Sequence, residues 1–264
     1  MTKNNQRYTD DYREEGIASL NKARNHFWYL HRNRIIEDLI DEFQKEKNLR
    51  RTPCILELGA GSGNISSYLF TKGYTIIASD FYRSGVDIIE YNGIKAFQYD
   101  LANNTLPLHK EHLNAYDIVI LGDVIEHLDG PVEALKNVKT FLRKGGRVMI
   151  TVPALSILWT QYDIYCGHKR RYSIQLLSKH IQAAGYAPIK VRYFMLLPAI
   201  ILFVTRKIKH TFTPYDMGML YTELHLNSAT NAFMKILMAV EYKFQKLINV
   251  PFGSSVYGIG EVEK

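Results

Sequence analysis

Cys54-Ile55-Leu56-Glu57-Leu58-Gly59-Ala60-Gly61-Ser62-Gly63-Asn64 reads as a short apolar strand that runs into a glycine-rich turn. A helix follows, Asn64 to Leu69. Glycine has no Cβ and tolerates unusual φ/ψ, so such a turn lets backbone come close to a ligand. Glycines at alternate positions make a floor at the C-terminal end of a first strand. In open α/β sheets that edge is where ligands bind.

The pattern continues outward. Tyr74-Thr75-Ile76-Ile77-Ala78-Ser79-Asp80 is a second apolar strand that ends in an acid. A carboxylate there can accept hydrogen bonds from two ribose hydroxyls, or it can cap the next helix. Lys95-Ala96-Phe97-Gln98-Tyr99-Asp100 is a third strand, again ending in an acid, either a ligand contact or a turn aspartate. The fourth strand runs from Tyr116 to Asp123. Asp129-Gly130-Pro131 then opens a helix from Val132 to Leu142, with its C-cap at Lys144-Gly145-Gly146. Arg147 to Pro153 is the fifth strand. This alternation over residues 54–153 predicts a doubly wound, mostly parallel sheet. Two further strands complete a seven-stranded sheet: Ile189 to Met195, and Ser255 to Val262 as an antiparallel edge.

The glycine run has two candidate owners. A dinucleotide fingerprint, G-x-G-x-x-G, would place its third glycine at Asn64, so that pattern fails. With Glu57 two residues ahead of Gly59, the segment resembles the first motif, E/D-x-G-x-G-x-G, of the Rossmann-like S-adenosylmethionine (SAM)-dependent methyltransferases. The run Asp123-Val124-Ile125-Glu126-His127-Leu128 resembles the corresponding D-x-[VIL]-E-H-L segment of many small-molecule methyltransferases. The resemblance implies a SAM cofactor, with S-adenosylhomocysteine as product. It places Glu57, Gly59, Ala60, Gly61 and Gly63 around that cofactor, Asp80 on the ribose and Phe81 beside the adenine. Asp100 and Leu101 would meet the adenine amino group. Gly122 and Asp123 would lie along the methionine part.

Before the core, residues 9–46 read as helices, a cap over residues 1–48. Phe27-Trp28…Arg32 is similar to the segment that covers the SAM site in that family. There Trp28 would shield the cofactor and Arg32 pair with its carboxylate; the alternative is a core tryptophan and a surface arginine. The core spans residues 49–195 and 251–264.

After the fifth strand, P-A-x(4)-W-x(3)-D-x(3)-G-H-x-R-R-Y covers Pro153 to Tyr172. Loops of this composition just past a strand end carry sites. The run resembles one methyltransferase subgroup linked to glycan and polyprenyl-sugar pathways. Trp159, Arg170, Arg171 and Tyr172 are therefore candidate acceptor contacts, the arginines suiting an anion. The other reading has the arginines bridging to acids of the scaffold. Two histidines suit proton removal from a hydroxyl acceptor: His168, with Asp163 as orienter, and His127. This chemistry requires no metal.

Residues 196–250 exceed a minimal core. Met195 to Thr205 is apolar and is followed by Arg206-Lys207-Ile208-Lys209-His210. Eleven residues are too few to cross a bilayer. The segment 195–210 is either a buried helix or a peripheral membrane contact. A second helix, Ala229 to Ile248, carries Phe233, Ile236, Leu237, Val240, Phe244 and Leu247 at helical spacing, a stripe expected to pack on the first and form a lid or pocket wall, so that 196–250 is a helical insertion facing either membrane or substrate. Residues 215–226 read as substrate-lining or mobile.

With 33 basic against 26 acidic residues, the chain of 264 attracts anions of some kind. Its basic residues are dispersed, and no RNA-binding or zinc pattern occurs, so nucleic acid is not the expected substrate. Cys54 and Cys166 form no disulfide or metal pattern, and the polar N-terminus lacks a signal region. Both suit a cytoplasmic protein, peripheral at the inner membrane face if 195–210 touches lipid. The expected activity is methyl transfer to a hydroxyl of a small, anionic or glycan- or lipid-linked acceptor. The alternatives are a nicotinamide-dependent oxidoreductase and a non-catalytic SAM-pocket protein at a membrane surface.

Overall fold

The computed structural model describes residues 17, 21, 23–102, 110–212 and 226–263, with backbone alone for residues 23, 161, 165 and 205–212. The segment 215–225 and most of the expected helices before residue 23 lie outside the described residues.

Helix α1 (Phe27–Glu46) leads into β1 (Cys54–Leu58), α2 (Asn64–Thr71), β2 (Thr75–Asp80), α3 (Arg83–Tyr91) and β3 (Ala96–Gln98). Then come β4 (Tyr116–Gly122), α4 (Pro131–Lys139), β5 (Leu142–Pro153), α5 (Gln161–Tyr165), α6 (Ile174–Ala183) and β6 (Ala187–Phe194). Helices α7 (Leu196–Phe212) and α8 (Ser228–Gln245) precede β7 (Ser255–Glu261). The seven-stranded sheet has the order β3-β2-β1-β4-β5-β7-β6. All pairs are parallel except those of β7 with β5 and β6. The order reverses between β1 and β4, which opens a crevice at their C-terminal ends.

Apolar residues cover both faces of the sheet. Ile55, Ile118, Ile120 and Met149 pack with Ile36, Leu39, Ile40 and Phe43 of α1 on one face. Leu56, Leu58, Val119, Leu121 and Val148 pack with Leu135, Leu177 and Ile181 on the other. Helix α1 therefore shares the sheet's core.

Several expectations need correction. Strand β7 is antiparallel but interior, inserted between β5 and β6, so β6 is the edge. Strand order is set by crossovers, which periodicity along one strand does not encode. Helix α4 stops at Lys139, and Gly145-Gly146 lies inside β5, with Gly145 at φ +71°. The β4–β5 register shifts between Tyr116 and Ile118 there. A Cβ on Gly146 would come within 3.1 Å of the Asp117 carbonyl, so these glycines serve a bulge and not a helix cap. Strand β3 ends at Gln98, two residues short of Asp100.

The largest reversal concerns α8. Its buried residues are Met234, Met238, Glu241 and Tyr242. Phe233, Ile236, Val240, Phe244 and Leu247, the expected packing stripe, are all exposed, and Leu237 alone of that set is partly buried. The helix has apolar residues on two sides, and helical spacing does not say which side faces the core.

Candidate active site

Gly59, Gly61 and Gly63 all have positive φ, from +57° to +73°. That region is costly for residues with a Cβ. Space adds a second constraint: a Cβ on Gly59 would lie 2.7 Å from Val124 Cγ2, and one on Gly63 2.6 Å from Ile89 Cγ1. The Ala60 N–H donates to the Ser79 carbonyl at 2.9 Å, tying the turn to the end of β2.

Two buried acids hold this turn. Asp80 accepts from the Gly61 N–H at 2.7 Å and from the Tyr82 N–H at 2.9 Å. Burial pushes its carboxyl above the ordinary value, against the pull of the backbone donors. A carboxylate offers about four lone-pair sites, so acceptor capacity remains for a further donor. Glu57 turns the other way, into α2, where it accepts from the Ser66 N–H at 2.8 Å and from the Ser66 hydroxyl. Burial raises Glu57 to about 7, against the pull of Ser66. Glu57 thus fastens the helix that follows the turn. Gly85 was not singled out in the sequence, yet a Cβ there would sit 2.5 Å from the Gly61 carbonyl oxygen. Its only sequence signal is a glycine inside a helix, where it costs stability unless close packing needs it.

Phe81 is half exposed at the rim of this edge. Asp100 is buried just past β3 and accepts from the Ala102 N–H at 3.0 Å, beside buried Leu101. At the end of β4, a Cβ on Gly122 would overlap Ile65 Cδ1 at 2.3 Å. Glycine there lets the Ile65 side chain of α2 pack against the strand end, a reason the sequence did not suggest.

Asp123 follows with φ +59°. Its Oδ2 pairs with Arg32 Nη1 at 2.5 Å, and Arg32 is buried with its guanidinium carbon 5.2 Å from the ring centres of both Trp28 and Tyr29. The helix α1 thus delivers Trp28 and Arg32 to the crevice, and Arg32 is not the surface arginine of the alternative reading. Asp123 Oδ1 and Arg32 Nε are buried polar atoms without a hydrogen-bond partner among the described residues. Such atoms carry a desolvation cost that a polar ligand would offset.

The acceptor-side segment is organised around Asp163. This fully buried carboxylate accepts from Arg171 Nε at 2.7 Å and Nη2 at 3.0 Å, and from the Thr160 N–H at 2.8 Å in a capping box. It also meets His168 Nδ1 at 2.9 Å. Burial works to raise Asp163, but the His168 hydrogen bond and the Arg171 charge outweigh it and hold the carboxyl down to about 2. The His168 ring lies 4.8 Å from that of His127.

Two expected substrate contacts are corrected here. Arg171 also donates to the Ala154 carbonyl at 3.0 Å and is spent on the scaffold. Tyr172 is buried in the core, with its hydroxyl directed at the Ile125 carbonyl at 3.4 Å. Arg170 is partly exposed and reaches the Asp129 carbonyl at 3.4 Å. Trp159 is half-buried after the turn Ser156–Leu158.

Glu126 stands in the E-H-L run after β4, a position for which the motif alone suggests no role. Its carboxylate is fully buried, with neither oxygen hydrogen-bonded among the described residues, and it lies 4.0 Å from His127 Nε2. Burial, with Asp123 adding its charge, pushes it well above the ordinary carboxylate range. Glu126, His127 and His168 each offer one ligand atom within 4.8 Å of the others, a donor set able to hold a divalent cation. A cation here would add to the metal-free chemistry expected from the sequence.

A family model described as a methyltransferase domain matches residues 27–191. The ubiquinone biosynthesis O-methyltransferase of Rickettsia typhi is 32% identical over 130 residues, 47% of this chain and 52% of the relative. That of Rickettsia bellii is 29% identical over 134 residues, 48% of this chain and 54% of the relative. The chain spans about half the length of these curated relatives. A sarcosine dimethylglycine methyltransferase-like structure from Galdieria sulphuraria aligns with TM-score 0.55 at 16% identity, covering 87% of this chain and 86% of that one. A Haemonchus contortus phosphoethanolamine N-methyltransferase in complex with SAM aligns with TM-score 0.51 at 14% identity, covering 82% and 50%. At such identities the structural likeness concerns the fold alone.

Proposed function

The chain belongs to the methyltransferase-domain family, its cofactor is S-adenosylmethionine, and on that premise we propose that it methylates a hydroxyl of an apolar or lipid-linked small molecule. The residues at the crevice suit this cofactor. Asp80 retains acceptor capacity for a ribose hydroxyl, and the positive-φ glycines form the tight turn at the end of β1 beside which a nucleoside would lie. Arg32 and Asp123 carry buried polar atoms suited to the methionine carboxylate and ammonium. SAM supplies an already activated methyl group, so the protein's part is alignment and proton removal.

The observation that carries the hydroxyl reading is the Asp163–His168 hydrogen bond at 2.9 Å. With Nδ1 donating to Asp163, the ring's Nε2 is the basic nitrogen for an acceptor hydroxyl. Asp163 stays ionised far below neutral pH and stabilises the imidazolium that forms when His168 takes the proton. Arg171 and Thr160 fix the carboxylate so that the ring has one orientation. His127, against the His168 ring, forms a second wall.

Arg171 is occupied and Tyr172 is buried, which leaves Arg170 alone of the adjacent arginines for an anionic acceptor. An apolar hydroxyl acceptor fits better, and the names of the Rickettsia relatives point the same way. Replacing His168 by Ala should lower kcat by about 10²–10⁴-fold with hydroxyl acceptors while SAM affinity stays the same. The assay reads S-adenosylhomocysteine release over a panel of phenols, prenylated phenols and lipid-linked sugars. Unchanged turnover in His168→Ala would remove the base. No release with any acceptor, despite SAM binding, would favour the non-catalytic alternative.

A further inference from the structure

The outward stripe of α8 has no part in the cradle or the histidine pair, and it is large. Phe233, Ile236, Val240, Phe244 and Leu247 stand 46–82% exposed at i, i+3, i+7, i+11 and i+14. That spacing keeps the first four on one side of the helix, and Leu247 continues the line in the turn just past Gln245. The opposite side is buried: Met234, Met238 and Tyr242 join the core with α1. Five large apolar groups in a row, outside a helix that already has a packed face, are more than the scattered apolar residues of an ordinary surface.

Charge decides what fits this face. Lys243 is exposed on the flank of the stripe, and Lys235 and Lys246 lie farther round the same side, toward Tyr242. Lys246 also pairs with Asp38 at 3.2 Å. The single acid of α8, Glu241, is turned inward, where it accepts from the N–H groups of Leu196 and Leu197 at 2.7 and 2.9 Å. An apolar stripe with lysines beside it and its only carboxylate withdrawn has the chemistry of an interfacial helix: apolar groups enter the acyl boundary and lysine stems extend to phosphates. Helix α7, which carries no acid and has Ile200 and Val204 exposed, packs against α8. No helix among the described residues is long and apolar enough to cross a membrane.

We propose that the outer face of α8 seats the protein on an anionic lipid bilayer. The position serves the site. The N-terminal turn of α8 is bound to the start of α1 through Asn231, which accepts from the Phe27 N–H at 2.9 Å and donates to the Asn25 carbonyl at 3.0 Å. Phe27 begins the helix that carries Trp28 and Arg32. Helix α7 touches the turn Ser156–Leu158 of the acceptor-side segment. A bilayer under α8 therefore lies beside both halves of the crevice, where a lipid-linked acceptor would arrive.

Co-sedimentation of the full chain with phosphatidylcholine vesicles, with and without phosphatidylglycerol, tests this. Binding to the anionic vesicles is expected, weakened by salt. The double variant Ile236→Ser/Phe244→Ser should lower the partition coefficient at least about tenfold. Lys235→Glu/Lys243→Glu should lower it on anionic vesicles only. As a second measurement, the fluorescence that Phe244→Trp adds to that of wild type should shift to the blue on vesicles. A wild-type protein that stays in the supernatant, stripe variants that bind as well as wild type, or an unshifted emission from the Phe244→Trp variant would overturn the proposal. So would a dimer in light scattering that the stripe variants dissociate, without vesicle binding. None of these measurements needs SAM or an acceptor, so their failure leaves the methyl-transfer reading untouched.

Discussion

The glycine turn at the end of β1 and the loop after β5 line the same sheet edge, yet they differ in how they are built. The turn is held by backbone: Gly59, Gly61 and Gly63 adopt conformations costly for other residues, and Asp80 grips the Gly61 N–H. The loop is held by side chains, with Asp163 at the centre of Arg171, His168 and Thr160. A backbone-built site leaves a local trace in the sequence. A side-chain-built site has the same composition whether its charges face a ligand or each other.

The sharpest way to break this comparison is to remove the loop's clamp. Arg171→Ala leaves a buried, ionised Asp163 with one partner fewer and should cost about 3–5 kcal/mol in denaturant melts. Arg170→Ala should cost less than about 0.5 kcal/mol, as expected of a surface change. Equal, small losses for both would return Arg171 to the acceptor.

A second test compares the two acids under pH. Glu57 is raised to about 7 in the fold, so its stabilising contribution is complete below about pH 4.5, its ordinary value, and is lost as pH rises through 7. Glu57→Gln keeps an acceptor for Ser66 and does not titrate. Its stability relative to wild type should therefore increase by roughly 2–3 kcal/mol between pH 4.5 and 8. Parallel stability curves would contradict the buried-acid assignment. Asp163 behaves oppositely: held down to about 2, it contributes stability above about pH 4 that is lost as pH falls through 2.

A smaller effect sharpens the turn side. Gly85→Ala pushes a methyl against the Gly61 carbonyl and should cost about 1–2 kcal/mol of stability, with weaker SAM binding by calorimetry. Unchanged affinity would mean that α3 does not shape the cradle.

What could be read beforehand follows the same division. The β-α alternation, the glycine turn and the acid ending β2 were legible, because each follows from local period or backbone constraint; the acid Asp100 was legible too, although β3 stops two residues before it. The Asp163–His168 pair was legible as five residues of separation in a polar loop. Arg171 and Tyr172 were misassigned because a pairing across eight residues of loop, or a tyrosine turned into the core, depends on the fold of the whole segment. The place of β7 between β5 and β6 depends on crossovers, and the outward side of α8 depends on which of two apolar faces meets α1.

The most direct test of the cradle is titration calorimetry of S-adenosylhomocysteine into wild type and Asp80→Ala. Loss of the ribose acceptor should raise Kd more than about tenfold. Equal affinity in the two proteins would mean that the nucleoside does not lie on the glycine turn.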